Sequence, residues 1–217
     1  MIKFYTHIND EWSLASNQAN VALRLLKEGC TDELKYQLLY AKVKNIKNDN
    51  LEHGNYDYTD SIIKIEACKK NMFDFYSASV LVFQSMMEAY INHIINNLVK
   101  ETYKIKIIPD LNNVKIDTWV KLSKSKDFKL KWNVVLTSLN CETKNFCSYS
   151  STIYKLRITL THPKNENIEE IKNLRNNYLY KGYKNGWESI ISLYNGLGFV
   201  GEDTWDNRVN LYKLKIV

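Results

Sequence analysis

Two prolines and seven glycines in 217 residues leave this chain few places to turn. An all-β sandwich or barrel needs many tight turns, and Gly and Pro supply much of the backbone geometry those turns use. A chain so short of both is built for long helices. The stretch from Phe73 to Val99 is apolar on most sides, as expected of the central helix of a bundle. The fold expected is therefore all-α.

Helical periodicity divides the chain further. Asp10 can cap a first helix over about 10–28, with Trp12, Leu14, Ala15, Ala19, Ala22, Leu23 and Leu26 on one face and Gly29 as its stop. A second helix starts at Thr31 or Asp32 and runs towards Lys47, with Leu34, Leu38, Leu39 and Val43 as its apolar face. Residues 48–58 read as a polar loop. Thr59 and Asp60 open the longest helix, to about Tyr103, with Val80, Leu81, Phe83, Met87, Ile91, Ile94, Ile95 and Leu98 as core. After an extended piece around Pro109, shorter helices are expected over 117–124, 128–139 and 149–161, with a polar connection at 140–147. Two more follow over about 167–180 and 186–196, and NLYKLKIV at the end alternates like a strand. One domain is expected, with residues 1–58 as an N-terminal helical extension, 59–200 as the core bundle and 201–217 as a tail.

Charge and cysteine usage narrow the class. The net charge of +6 suits a polyanionic partner, but the excess is nearly all lysine, which AT-rich coding also produces. Cys30, Cys68, Cys141 and Cys147 show no zinc-ligand spacing and read as free thiols of a reducing cytoplasm. The first residues carry no export signal pattern, and no apolar run approaches the ~20 residues of a membrane span. A cytoplasmic protein without membrane contact is expected. There is no Walker A loop, GxGxxG or GxSxG, so nucleotide-dependent and serine-hydrolase chemistry have no support.

The constellation that carries chemistry is Arg157 and His162, at the end of a helix that Pro163 terminates. Five residues advance a helix about 7.5 Å and rotate it about 140°, so the two do not share a face within one regular helix. At a helix end both can still converge on a cleft. A guanidinium holds phosphate in bidentate fashion, and a histidine moves protons near neutral pH. Together they suffice for metal-free RNA cleavage by attack of the 2′-hydroxyl on the adjacent phosphorus.

The segment YKLRITLTHPK, with Leu156, Arg157, Ile158, His162, Pro163 and Lys164, resembles the signature helix of the HEPN superfamily. Upstream, FYSASVLVFQSMMEAYINHII, with Glu88-Ala89-Tyr90, resembles that family's earlier core helix, and the order and separation of the two segments also fit. The resemblance covers about residues 70–200. It implies an up-and-down helical bundle, here with extra N- and C-terminal helices, that dimerises and joins the motifs of both protomers in one composite cleft. It further implies a metal-independent endoribonuclease, without cofactor, of a toxin–antitoxin or antiphage system, acting on tRNA or mRNA, with an antitoxin or defence-system protein as a further partner. Arg157 would bind the scissile phosphate and His162 would act as general acid or base, with Glu88, Thr161 and Lys164 in support. The family usually places Asn, Asp or His directly after the arginine, where this chain has Ile158; Thr159 and Thr161 are the nearby hydroxyls. Other members are catalytically inactive RNA- or protein-binding modules, and Ile158 favours that alternative.

Three other features stand beside the motif. Gln84, Glu88, Asn92 and Asn96 recur every four residues along one helix face; the strip can line the motif's cleft, with Glu88 pairing Arg157, or be a solvated face. Tyr180, Lys181 and Lys184, in YLYKGYK, combine stacking rings with phosphate-neutralising charge and are the candidate RNA-binding residues, though tyrosines at this spacing also pack. Pro109-Asp110 with Asp127-x-Lys129 matches a loose metal-nuclease pattern whose carboxylates need adjacent strands, and the flanks do not alternate as strands. His93, amid apolar neighbours, reads as a structural histidine.

Overall fold

The structure, a computed structural model, describes residues 2–50, 59–99, 103–106, 118–162, 174–198 and 205–206, with the backbone alone for 2–14, 46–50 and 98. Every element among them is helical. In chain order they are α1 (Ile2–Asn50), α2 (Thr59–His93) extended by a π-helical turn (Ile94–Val99), α3 (Trp119–Lys124), α4 (Phe128–Ser138), α5 (Lys144–Tyr149), a π-helical turn (Ser150–Tyr154), α6 (Lys155–Thr161) and α7 (Asn176–Gly196).

The N-terminal 50 residues correct the sequence reading. Gly29 does not stop a helix, and neither Asp10 nor Thr31 caps one: α1 runs unbroken through all three. Thr31 turns its hydroxyl back to the Lys27 carbonyl at 3.0 Å, the bond a threonine makes inside a helix. Gly29 is needed for closeness instead. A Cβ there would lie 2.3 Å from the ring of Tyr76, so α1 can approach α2 only where the side chain is missing. Ala15, Ala19 and Ala22 prepare the same approach and are buried. Ser79 on α2 then donates to the Ala22 carbonyl at 2.7 Å and accepts from Tyr183 Oη at 2.8 Å, tying α1, α2 and α7 together.

Beyond Glu33 the hairpin of α1 and α2 changes character. Leu38, expected on an apolar face, is 72% exposed, and Tyr40, Ile62 and Ile63 are exposed too. The C-terminal half of α2 is the reverse: Val80, Phe83, Met86, Met87, Ile91, Ile94 and Ile95 are all buried. Leu81, read as core, is exposed, and the side chain of Leu98 lies outside the described set.

The second correction concerns α7. The two expected helices at 167–180 and 186–196 are one from Asn176 onward; residues 167–173 lie outside the described set. Gly186 sits inside it because a Cβ there would come within 2.7 Å of Phe83 and 2.8 Å of Tyr149. That contact seats an aromatic core: Phe83 and Tyr183 stack at 4.4 Å, Trp205 meets Phe83 edge-on at 6.1 Å, and Phe146 stacks on Trp132 at 5.2 Å. Removing one such ring costs about 3–5 kcal/mol in general. Residues 140–147 are only in part a connection, since α5 begins at Lys144. Trp205 and Asp206 are helical, and the strand-like end over 210–217, the loop at 51–58 and the segment around Pro109 lie outside the described residues.

Candidate functional site

The candidate site forms where α6 crosses α2. Leu156 and Thr159 face inwards, and this turns the intervening Arg157 sideways to Glu88, with Nη2 3.8 Å from Oε1. A π-helical turn immediately precedes this stretch, and such turns recur at functional sites. Glu88 is held from behind: Gln84 Nε2 donates to Oε1 at 2.8 Å, and Gln84 Oε1 accepts from Tyr149 Oη at 2.5 Å. Tyr149 and Gln84 are buried, and burial pushes the Tyr149 phenol well above its usual range, so it stays a neutral donor. The arginine thus stands at the open end of a relay anchored in the core.

The polar strip of α2 divides accordingly. Gln84 is buried, Glu88 is half-buried, and Asn92 and Asn96 are exposed. Glu88 and Asn92 line a cleft of about 370 Å³ with Arg157, Tyr154, Ser125, Lys126 and Lys131 on their side chains' facing elements. Phe128 supports Tyr154 by stacking at 4.8 Å. Three of these residues are cationic and one is anionic, a balance of two positive charges.

Lys131 is the residue the sequence reading missed. It is only 8% exposed, and its ammonium donates to Asn92 Oδ1 at 2.7 Å. Its partner is a neutral amide, and among the described residues no opposite charge lies within ion-pair distance, so the charge is partly withdrawn from water without one. Burial accordingly lowers its pKa, and the field of Glu88 opposes that only in part. A signal was present: Lys131 is three residues from Phe128, next to Trp132 and four from Val135, inside the buried stripe of α4. A lysine on an apolar stripe marks a charge that the fold keeps inside.

The other expected site residues that are described do not line this cleft. His162 is exposed at the C-cap of α6, with φ −135° and ψ 66°, and it is not among the lining residues. Thr161 is exposed and donates its hydroxyl to the Arg157 carbonyl at 3.0 Å. Ile158 is 39% exposed. Pro163 and Lys164 lie outside the described residues. Tyr180 and Lys184 gather elsewhere, around Asp206 Oδ1 at 3.5 and 3.4 Å, while Lys181 is exposed. Asp127 is the N-cap of α4, accepting from Leu130 N at 3.0 Å, and Lys129 lies over the Tyr154 ring at 5.5 Å; Pro109-Asp110 is outside the described set. His93 is half-buried, its ring nitrogen 2.9 Å from the Asn97 amide.

No known protein family, curated protein or solved structure matches this chain. No helix among the described residues is long and apolar enough to cross a membrane.

Proposed function

We propose that this chain is a HEPN-like, metal-independent endoribonuclease of a toxin–antitoxin or antiphage system, cleaving RNA at a site composed by two copies. The observation that supports it is the placement of Arg157: paired with Glu88, fixed through Gln84 and Tyr149, and opening onto a cleft with excess positive charge. A guanidinium so held keeps donors free for a phosphate oxygen, since one long ion-pair contact uses few of its five N–H groups.

Within one chain His162 does not line the cleft that Arg157 lines, which is why the reading requires a second copy. Ile158 and His162 lie four residues apart on the outward stripe of α6, and two such stripes brought together would cover the exposed isoleucines and present each histidine to the neighbouring motif. In the reaction a base takes the 2′-hydroxyl proton, the 2′-oxygen bonds to phosphorus, and the bond to the 5′-oxygen breaks as that oxygen receives a proton. His162 serves one of the two proton transfers. Arg157 stabilises charge on the non-bridging oxygens.

The test is purified protein incubated with RNA in EDTA. Cleavage leaving a 2′,3′-cyclic phosphate, lost in His162→Ala, is the expected result; intact RNA, or cleavage unchanged by that substitution, sinks the reading. The second reading is a catalytically inactive RNA- or protein-binding module. It is favoured by Ile158 at the polar position and by the exposed His162. It predicts a stable complex with RNA or protein and no cleavage.

A further inference from the structure

We propose that the α2–α4–α6 cleft is a binding site for a phosphate dianion, held by Lys131 and Arg157 together, and that its ligand is a terminal phosphate monoester. The dianion site rests on the cleft itself; the choice of an RNA end over a free nucleotide as the source rests on the function proposed above.

Three observations carry it. Lys131 and Arg157 come from different helices, α4 and α6, and line one cleft of about 370 Å³, within the size range of small-ligand pockets. The Lys131 side chain is buried, its ammonium reaches the cleft, and among the described residues its hydrogen-bond partner, Asn92, brings no charge, so a partly desolvated ammonium faces the cleft. Counting Lys126 at the rim and subtracting Glu88, the lining carries two net positive charges. A phosphate monoester carries about −1.5 to −2 near neutral pH, and an internal phosphodiester carries only one negative charge. At rest the cleft matches the former; a scissile diester reaches two negative charges only as the deprotonated 2′-oxygen adds to phosphorus, so the two ligands compete for Arg157. The lowered pKa of Lys131 points the same way, because a bound dianion supplies the opposite charge that burial has withheld.

Binding of four probes to the full chain tests this in EDTA and low salt: inorganic phosphate, AMP, and one short RNA with either a 5′-phosphate or a 5′-hydroxyl. A 2′-O-methyl backbone in both RNA oligomers blocks the attacking hydroxyl and so removes cleavage from the measurement. The phosphorylated oligomer should bind at least ten-fold more tightly than its hydroxyl twin, and Lys131→Met should remove that preference. If AMP binds as tightly as the phosphorylated oligomer, the source is a free nucleotide; if more weakly, it is a nucleic-acid end. Both results support the dianion site. Methionine retains a linear apolar stem, and Asn92→Asp gives a second route by setting a carboxylate against the ammonium; it should also remove the preference. Equal binding of the two oligomers, or a preference that survives in folded Lys131→Met, overturns the proposal. RNA left intact in the cleavage assay while the phosphate preference persists would remove the nuclease and leave the site.

Discussion

The molecule contains two constellations built from the same three residue types, and they have opposite characters. Between α1, α2 and α7, Tyr76 donates to Glu33 at 2.5 Å, and Arg175 Nε lies 3.9 Å from the same carboxylate. Between α2 and α6, Tyr149 reaches Glu88 through Gln84, and Arg157 lies 3.8 Å away. In the first the carboxylate is the buried member, with its side chain 6% exposed, and it is satisfied by a tyrosine directly. In the second the inserted glutamine moves the carboxylate outwards by one side chain, to 38% exposure, where it meets a cleft. The buried pair holds three helices in register; the displaced pair aims an arginine. Ion-pair distance does not tell them apart. Burial of the carboxylate, and what lies beyond the arginine, does.

Alkali tests what the two share, and the effect is the largest expected. Burial raises the pKa of Tyr76, Tyr149 and Tyr183, that of Tyr76 further through its bond to Glu33. A phenol whose folded pKa lies above the unfolded value of about 10 costs nothing below that pH and destabilises above it, by up to ~1.4 kcal/mol per pH unit for each tyrosine. Lys131 works in the other direction, its lowered folded pKa being relieved as pH rises towards about 10.4 and adding nothing beyond. Net stability should therefore fall steeply above about pH 10.5, measured by denaturant midpoint against pH. Either Tyr76→Phe or Tyr149→Phe should shallow the slope by one titrating group. A flat profile to pH 12 would mean that neither tyrosine is held neutral by the fold.

Arg157→Ala comes next and separates the networks. If the displaced pair serves function, RNA cleavage should fall by roughly 100-fold or more, the scale for losing one donor to a developing oxyanion. The melting temperature should barely move, because a half-exposed ion pair contributes about 0–1 kcal/mol. Loss of stability with activity retained would make the second network structural as well.

Tyr76→Phe is the converse. It leaves the buried Glu33 carboxylate without its short hydrogen bond, at a cost of about 1–3 kcal/mol, or ~2–4 °C for each kcal/mol in a chain of this size. The phosphate preference of the cleft should be unchanged.

Much of the fold was legible because periodicity reports burial. The helical class, the central position of α2, and α3 and α4 follow from spacing alone. Gly29 misled because glycine has two uses that look alike in sequence, ending a helix and letting two helices touch; only Tyr76, 47 positions further on, decides between them. Thr31 misled likewise, since a hydroxyl can cap a helix or bond back within one. In the cleft, the partnership of Glu88 with Arg157 was a reading that the four-residue strip allowed, because both helices carried recognisable patterns. Lys131 was missed although its place on the stripe of α4 was visible, since a lysine beside apolar positions ordinarily carries its ammonium out to solvent. Pro163 marked the end of α6, which stops at Thr161 with His162 as its C-cap; that His162 does not line the cleft follows from how α6 packs, which no local pattern encodes.

The smallest effect expected is that of Glu88→Gln, and it is the sharpest on the comparison. Glutamine keeps the shape and can still meet Gln84, so only the charge is lost. Exposure and solvent screening limit the change in stability to under about 1 kcal/mol. The cleft, however, goes from two net positive charges to three. RNA affinity at low salt should rise modestly, and cleavage should fall only as far as the freed Arg157 wanders from its position. Glu33→Gln has no such latitude: its carboxylate is buried against Tyr76 and Arg175, so the cost should appear in the melting temperature and RNA binding should stay constant. If both substitutions lower stability equally and neither alters RNA affinity, the extra glutamine of the second network has no functional consequence, and the cleft is only a gap between helices.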